Sequence, residues 1–378
     1  MKTNSLQQLG TLGQSVWLDY IRRDLIAGGE LKRLIEEDGL RGMTSNPAIF
    51  EKAIDESHDY DEEIRAQTLA GKDAQAIYET LSQCDVQSAA DVFRPLYDRT
   101  DGADGYVSLE VNPHLAHDTA GTIEEARRLW SALNRPNVFI KVPATPEGLP
   151  AIQQLISEGI NINVTLIFGL PRYRQVAEAF IAGLETRAAQ GKPVNRIASV
   201  ASFFVSRIDA LVDPLLEKII AEGGEQAGLA KKAHGQIAIA SAKTAYQIYK
   251  EIFGGDRFKK LSAQGARAQR LLWASTGTKN PEYSDIKYIE ALIGPDTVNT
   301  APMETISAYR DHGEPQARLE QDAGEAARLL TRLPTLGIDI DRITQQLEDE
   351  GVEKFNQPFD KLMETLEQRT SRHSTREV

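Results

Sequence analysis

The stretch VFIKVPATPEGLPAIQQLISEGININVTLIF, residues 138–168, reads as strand, helix and strand. Its two ends, Val138–Pro143 and Ile162–Phe168, are short apolar runs, and apolar residues between them recur at three- and four-residue intervals. Two strands joined through a helix lie parallel in one sheet, connected by a right-handed crossover. Working outward, the same alternation continues in both directions. Strand-like runs occur at Val16–Asp19, Gly42–Asn46, Tyr106–Val111, Ile197–Phe204, Leu271–Thr276 and Thr297–Ala301. Helical patterns such as IRRDLIAGGELKRLIEED (21–38) and TIEEARRLWSALN (122–134) separate them. An open doubly wound sheet would carry a glycine-rich turn after its first strand, whereas Trp17-Leu18-Asp19 runs into Tyr20-Ile21-Arg22-Arg23. The pattern therefore predicts an α/β fold, a closed (β/α)8 TIM barrel spanning about residues 15–303.

After Pro302 the strand signals stop. ARLEQDAGEAARLLTRL (317–333) and DKLMETLEQR (360–369) read as amphipathic helices, separated by a Pro-Thr-Leu-Gly turn. They are expected to pack on the barrel over about 304–370, making residues 1–378 a single domain. The final SRHSTREV is polar and reads as frayed.

Composition narrows the function. With 43 Lys and Arg against 55 Asp and Glu, the net charge is −12, which argues against general nucleic-acid binding. Cys84 is the single cysteine, so an intrachain disulfide is excluded, and it reads as a small buried residue of the helical stretch around 78–93. The N-terminal MKTNSLQQLGTLGQS lacks the apolar core of a leader, and no apolar run is long enough to span a bilayer. A cytoplasmic protein with no membrane partner is expected. The acidic run 55–63 reads as a solvated helix face.

In a barrel of this kind the active site forms at the C-terminal ends of the strands. The polar residues that interrupt the apolar runs there are Asp19, Asn46, Glu110, Lys141, Asn163, Thr165, Ser202, Ser275 and Asn299. Singly, a Ser or Asn at a strand end is a turn or cap residue. Together they bring one amine, two carboxylates and several hydroxyls and amides to one face, a set suited to carbonyl chemistry on a polyol.

Lys141 is the sharpest signal, because a lysine inside Val138-Phe139-Ile140-Lys141-Val142-Pro143 has no solvated surroundings. A structural lysine there would pair with a carboxylate or snorkel to the mouth. An ordinary lysine needs about 4–5 kcal/mol to present a neutral amine at pH 7, and desolvation contributes to that. A neutral amine attacks a ketone and yields an iminium, an electron sink for carbon–carbon cleavage. Glu110 lies on the preceding strand and Thr165 on the following one, where a period of two sends Asn163 and Thr165 to one side and Val164 and Leu166 to the helices. Glu110, a water and Thr165 would form a proton relay, although Glu110 also reads as a plain ion-pair partner of Lys141. Asp19 reads equally as a base or as the N-cap of a helix beginning near Ile21. Arg207 after the sixth strand, and Lys279 after Ser275-Thr276-Gly277-Thr278, are candidates for gripping phosphate.

These residues resemble the transaldolase family. The matching motifs are Thr44-Ser45-Asn46-Pro47, Ser108-Leu109-Glu110-Val111, Phe139-Ile140-Lys141-Val142-Pro143, 161–168 (NINVTLIF) and Ser202-Phe203-Phe204-Val205-Ser206-Arg207, in family order across nearly the whole barrel. Length and C-terminal helices resemble the long bacterial subgroup. The resemblance implies that Lys141 is the Schiff-base lysine, Asp19 the acid/base, and Glu110 with Thr165 the water-positioning pair. It implies that Asn46, Asn163 and Ser202 hold the dihydroxyacetone hydroxyls, and that Arg207 and Ser275 bind phosphate. Where many relatives place an arginine two residues beyond the serine, this chain has Gly277, and Lys279 two further on is the candidate for that charge.

The implied reaction moves dihydroxyacetone from sedoheptulose 7-phosphate to glyceraldehyde 3-phosphate, giving erythrose 4-phosphate and fructose 6-phosphate, a step of the pentose phosphate pathway. It needs no cofactor and no metal. The assembly implied is a homodimer or a monomer. Simple cleavage of fructose 6-phosphate is the near alternative, but the shorter aldolases that perform it resemble this chain with a Tyr where Phe204 stands in the substrate site. A metal-dependent barrel hydrolase is the more distant rival. It would use histidines at strand ends, whereas His114 and His117 fall in a loop.

Overall fold

The computed structural model describes residues 4–374. Eight parallel strands close into a barrel in sequence order. They are β1 Gln14–Asp19, β2 Gly42–Thr44, β3 Tyr106–Glu110, β4 Val138–Pro143, β5 Ile162–Ile167, β6 Ser199–Phe204, β7 Arg270–Ala274 and β8 Thr297–Ala301. All eight expected runs are strands. Several end earlier than the apolar pattern does, because Asn46 begins a helix as its N-cap and Ser275 turns into a left-handed conformation at φ 55°. At both points the backbone leaves the ladder while the sequence stays compatible with strand.

Local chemistry sets the helix limits. Asn46 Oδ1 accepts from the Ile49 N–H, and Pro47 follows at the first helical position of Pro47–Asp55. Asp118 caps Thr119–Leu133 by accepting from Gly121 N–H. Gly159, at φ 98°, closes Gly148–Glu158 in a conformation that costs glycine little. The core is aromatic as well as aliphatic: Trp17, Trp273, Phe139, Phe168 and Phe203 are fully buried. Gly42 is required by one of these rings, since a Cβ there would fall 2.5 Å from Trp17 Cε2.

Four expectations change. Asp19 caps nothing: the next helix is Arg23–Ala27, and its N-cap, Arg22, makes no side-chain cap bond. Cys84 is exposed rather than buried, because its helix Ala74–Arg99 turns that position away from the core. The period of two on β5 breaks after Val164, where the pairing with β6 shifts register and Leu166 takes φ 61°. The acidic run 55–63 is not one helix face but a helix end, a turn and the start of Asp61–Leu69. Its carboxylates meet cations from elsewhere, including Arg22 with Asp59 and Arg23 with Glu63.

Beyond β8 come the helices Met303–His312 and Ala323–Arg332, then the Pro-Thr-Leu-Gly turn as a short 3-10 segment ending at Gly337. The last helix, Ile340–Ser374, is 35 residues long and continues through Pro358. It includes the first four residues of the tail read as frayed, and the rest of that tail, 375–378, lies outside the described residues. Rather than lying along the barrel wall, this helix crosses the mouth at the C-terminal ends of the strands. Along it, Gly351 lies against Leu166 and Phe168, Phe355 faces Lys141, and Phe359 packs on Tyr78.

Candidate active site

Strand register brings the candidate residues together. Glu110 on β3 stands opposite Lys141 on β4, and Lys141 stands opposite Asn163 on β5. The Lys141 ammonium lies 3.1 Å from Glu110 Oε2 and donates to the Ser45 carbonyl at 3.3 Å. Both side chains are buried, Lys141 with 4% of its surface exposed and Glu110 with 6%. Burial raises the Glu110 carboxyl to about 7, against the pull of Lys141 in the other direction. Glu110 Oε1 and Thr165 Oγ1 are buried without a hydrogen-bond partner among the described residues. Buried polar atoms of this kind are costly unless a ligand or water meets them.

A second polar group is built around Asp19. Thr44 Oγ1 donates to Asp19 Oδ1 at 2.7 Å and lies 2.7 Å from Thr300 Oγ1. The one proton of Thr44 is committed to the carboxylate, so Thr300 is the donor to Thr44. Desolvation raises the Asp19 carboxyl, while the charges of Lys141 and Lys279 and the Thr44 hydrogen bond lower it. The hydrogen bonds of Thr44 join the ends of β1, β2 and β8 around that carboxyl.

Asn163 and Ser202 meet each other: Ser202 Oγ donates to Asn163 Oδ1 at 2.7 Å, and Asn163 Nδ2 donates to Ser108 Oγ at 3.1 Å. Asn46 is half-buried, and its oxygen is occupied by the cap, so what it can offer a ligand is its amide N–H2. Arg207 sits in the first turn of the helix Ser206–Glu222, with Nη1 buried and unpartnered among the described residues. Desolvation lowers its affinity for the proton, opposed by Glu350. Ser275 Oγ lies 3.0 Å from Ser206 Oγ, tying the loop after β7 to that helix start, and Lys279 is exposed on the same loop. Phe204 is buried against Phe168, with ring centroids 5.0 Å apart. Asn299 on β8 points its oxygen at the Thr276 hydroxyl, 2.8 Å away.

Sequence reasoning missed Ser108, the Ser45 carbonyl, Thr300 and Phe355. Ser108 and Ser45 do lie inside recognisable motifs, but their partners come from other strands and leave no local mark. The two loop histidines are engaged by carboxylates from different elements, His114 Nε2 with Asp360 at 2.6 Å and His117 Nδ1 with Glu147 at 3.1 Å. No group of three or more metal-binding side chains gathers among the described residues.

What this arrangement can do is follow an amine with protons. An amine next to a carboxyl that titrates near neutrality can form and dehydrate a carbinolamine. A second carboxylate nearby can accept a hydroxyl proton, and the buried, unpartnered Nη1 of Arg207 can donate to an anion.

Known proteins share the sequence over nearly its full length. A sequence model of the family described as transaldolase/fructose-6-phosphate aldolase matches residues 16–366. The chain is 49% identical over 376 residues to a transaldolase of Trichodesmium erythraeum, covering 98% of this chain and 99% of that one. It is 49% identical over 372 residues to a transaldolase 2 of a Nostoc species, covering 97% and 98%. A transaldolase of Thiobacillus denitrificans is 46% identical over 360 residues, covering 95% of this chain and 99% of that one. No helix among the described residues is long and apolar enough to cross a membrane.

Proposed function

The chain belongs to the transaldolase/fructose-6-phosphate aldolase family, and from that premise we propose that Lys141 forms a Schiff base with a ketose phosphate. The chain is a transferase of the transaldolase type, acting on sugar phosphates. The observation that carries the site assignment is the buried Lys141–Glu110 pair, 3.1 Å apart at the barrel mouth.

Each residue is assigned a role that its position supports. The Lys141 amine adds to the ketone carbon, and Glu110 receives and returns the protons that turn carbinolamine into iminium and water. Thr165 Oγ1, without a partner of its own among the described residues, offers that water a hydrogen bond. Asp19 then takes the proton of the hydroxyl next to the breaking bond. Its electrons flow into the iminium, an aldehyde leaves, and an enamine of three carbons stays on Lys141. The acceptor aldehyde enters, a new carbon–carbon bond forms, and the steps reverse. Asn46, Asn163 and Ser202 hold the hydroxyls of the bound fragment, and Arg207, Ser275 and Lys279 receive the phosphate. Sedoheptulose 7-phosphate is the donor and glyceraldehyde 3-phosphate the acceptor, in the pentose phosphate pathway of the cytoplasm. Barrel and C-terminal helices work as one domain.

Transfer is favoured over release of free dihydroxyacetone because Phe204 brings a ring with no hydroxyl to the site. Borohydride reduction in the presence of fructose 6-phosphate, followed by peptide mapping, tests the proposal. A three-carbon adduct on Lys141 is expected; a folded protein carrying no adduct there overturns it.

A further inference from the structure

We infer that Phe355, held in the mouth by the long terminal helix, is a positioning residue that closes one side of the Lys141 nitrogen to water other than the one between Glu110 and Thr165, and so reserves the bound three-carbon fragment for transfer. The inference rests on the Schiff-base reading above and adds to it the feature that decides the fragment's fate.

The ring centroid of Phe355 lies 5.3 Å from Lys141 Nζ. Only 5% of Phe355 is exposed, although it comes from a helix outside the barrel. Anchors on both sides of the mouth hold that helix. On the β5 side, Arg172 pairs with Glu348 at 2.9 Å, and a Cβ on Gly169 would fall 2.7 Å from Thr344 Oγ1. On the β2 and β3 side, Phe359 packs edge-on to Tyr78 at 5.6 Å, and Asp360 meets His114. Lys361 pairs with Glu51, while Arg369 reaches both Asp61 and the Ile54 carbonyl.

The height of the helix over the mouth is set at one point. Gly351 lies so near the β5 bulge that a Cβ would be 3.1 Å from Leu166 Cδ2 and 3.4 Å from Phe168 Cε2. Glycine inside a helix is unfavourable, and leucine at φ 61° is too, yet here each makes room for the other. Together they seat Phe355 one helical turn further on, over Lys141.

The chemistry at that nitrogen has two outcomes. Once the donor's carbon–carbon bond has broken, the enamine either attacks an acceptor aldehyde or takes a proton at carbon. In the second case it returns to an iminium, water adds to the C=N carbon, and free dihydroxyacetone leaves as the Lys141 amine is restored. The water consumed equals the water released when the Schiff base formed. An apolar ring beside the nitrogen gives an incoming water no hydrogen-bond partner on that side, while its face favours the cationic iminium.

The test compares Phe355→Ala, Phe355→Val and Phe355→Leu with the parent enzyme. Each is assayed for dihydroxyacetone released from fructose 6-phosphate alone, and for transfer to erythrose 4-phosphate. The ratio of release to transfer should rise several-fold in Phe355→Ala, less in Phe355→Val, and stay near the parent value in Phe355→Leu. A merely structural role would lower both rates together and leave the ratio unchanged. If Phe355→Ala does not fold, Phe355→Val carries the comparison. An unchanged ratio in the smallest variant that folds, with Lys141 still trapped by borohydride, overturns the inference. Absence of a Lys141 adduct in the parent enzyme would instead overturn the Schiff-base reading beneath it.

Discussion

Lys141 and Glu110 stand 3.1 Å apart in a setting that admits little water, so substitution of either has a defined sign. Arginine at 141 keeps a positive charge but cannot present a neutral amine. Lys141→Arg should therefore reduce turnover to background in a coupled assay, while circular dichroism stays that of the folded protein. Glu110 gives a pH dependence. Burial raises its carboxyl to about 7 from an ordinary 4.5, so between those values the folded chain holds a proton that the unfolded chain has released. The stability this provides is complete below pH 4.5 and is lost as pH rises through 7. Urea unfolding should show the parent losing stability relative to Glu110→Gln across that interval, by on the order of a few kcal/mol. A pH-independent difference would remove Glu110 as the titrating group. The same variant should lower kcat by roughly 10²-fold or more. These two residues were legible because a charge inside an apolar run demands an explanation. Thr300 and Phe355 were not. A threonine in a strand and a phenylalanine in an amphipathic helix satisfy their local patterns completely, and the contacts that give them meaning come from distant parts of the chain.

The elements themselves were legible almost throughout, since eight apolar runs spaced by helical patterns admit few arrangements. What the pattern lacked was the β5 bulge. A left-handed position is expected at glycine, and here it falls on Leu166, where tertiary packing against Gly351 outweighs local preference. The connection after β4 is similarly constrained. A Cβ on Gly148 would lie 2.1 Å from the Pro143 carbonyl oxygen, which is backbone and cannot swing away. Gly148→Ala should cost about 1–3 kcal/mol or more and displace the strand end that carries Lys141, lowering both Tm and kcat. Gly228 is the counterpart: nothing lies within 4 Å of its ideal Cβ. Gly228→Ala, inside the helix Ala227–Ala233, should be neutral or stabilising by up to about 1 kcal/mol. Equal effects of the two substitutions on Tm would contradict the steric account.

At the scale of the whole molecule, one helix ties opposite sides of the barrel together. The sequence pattern revealed that this helix exists but not that it crosses the mouth, because its apolar face would suit the barrel wall as well. Its anchors differ in weight. Arg172–Glu348 is largely buried, and Gln175 still accepts from the guanidinium when Glu348 is removed, so Glu348→Ala should cost about 1–3 kcal/mol. Arg369–Asp61 is partly exposed, and Asp61→Ala should cost less than about 1 kcal/mol. Hydrogen exchange across 340–355 should accelerate in the first variant and stay near the parent in the second; equal acceleration in both would mean that the helix is held elsewhere. With this helix running from the β5 side to the β2 and β3 side, the remaining arc of the mouth runs from β6 through β7 and β8 to β1, where Lys279 is exposed and Arg207, Ser275 and Asp19 are partly so. Traffic through such an arc is ordered. The aldehyde cut from the donor departs by the approach its successor must use, so the two compete for the same loaded enzyme. Initial velocities at varied donor and acceptor should then give parallel reciprocal lines, the kinetic mark of a guest that must leave before the next is seated.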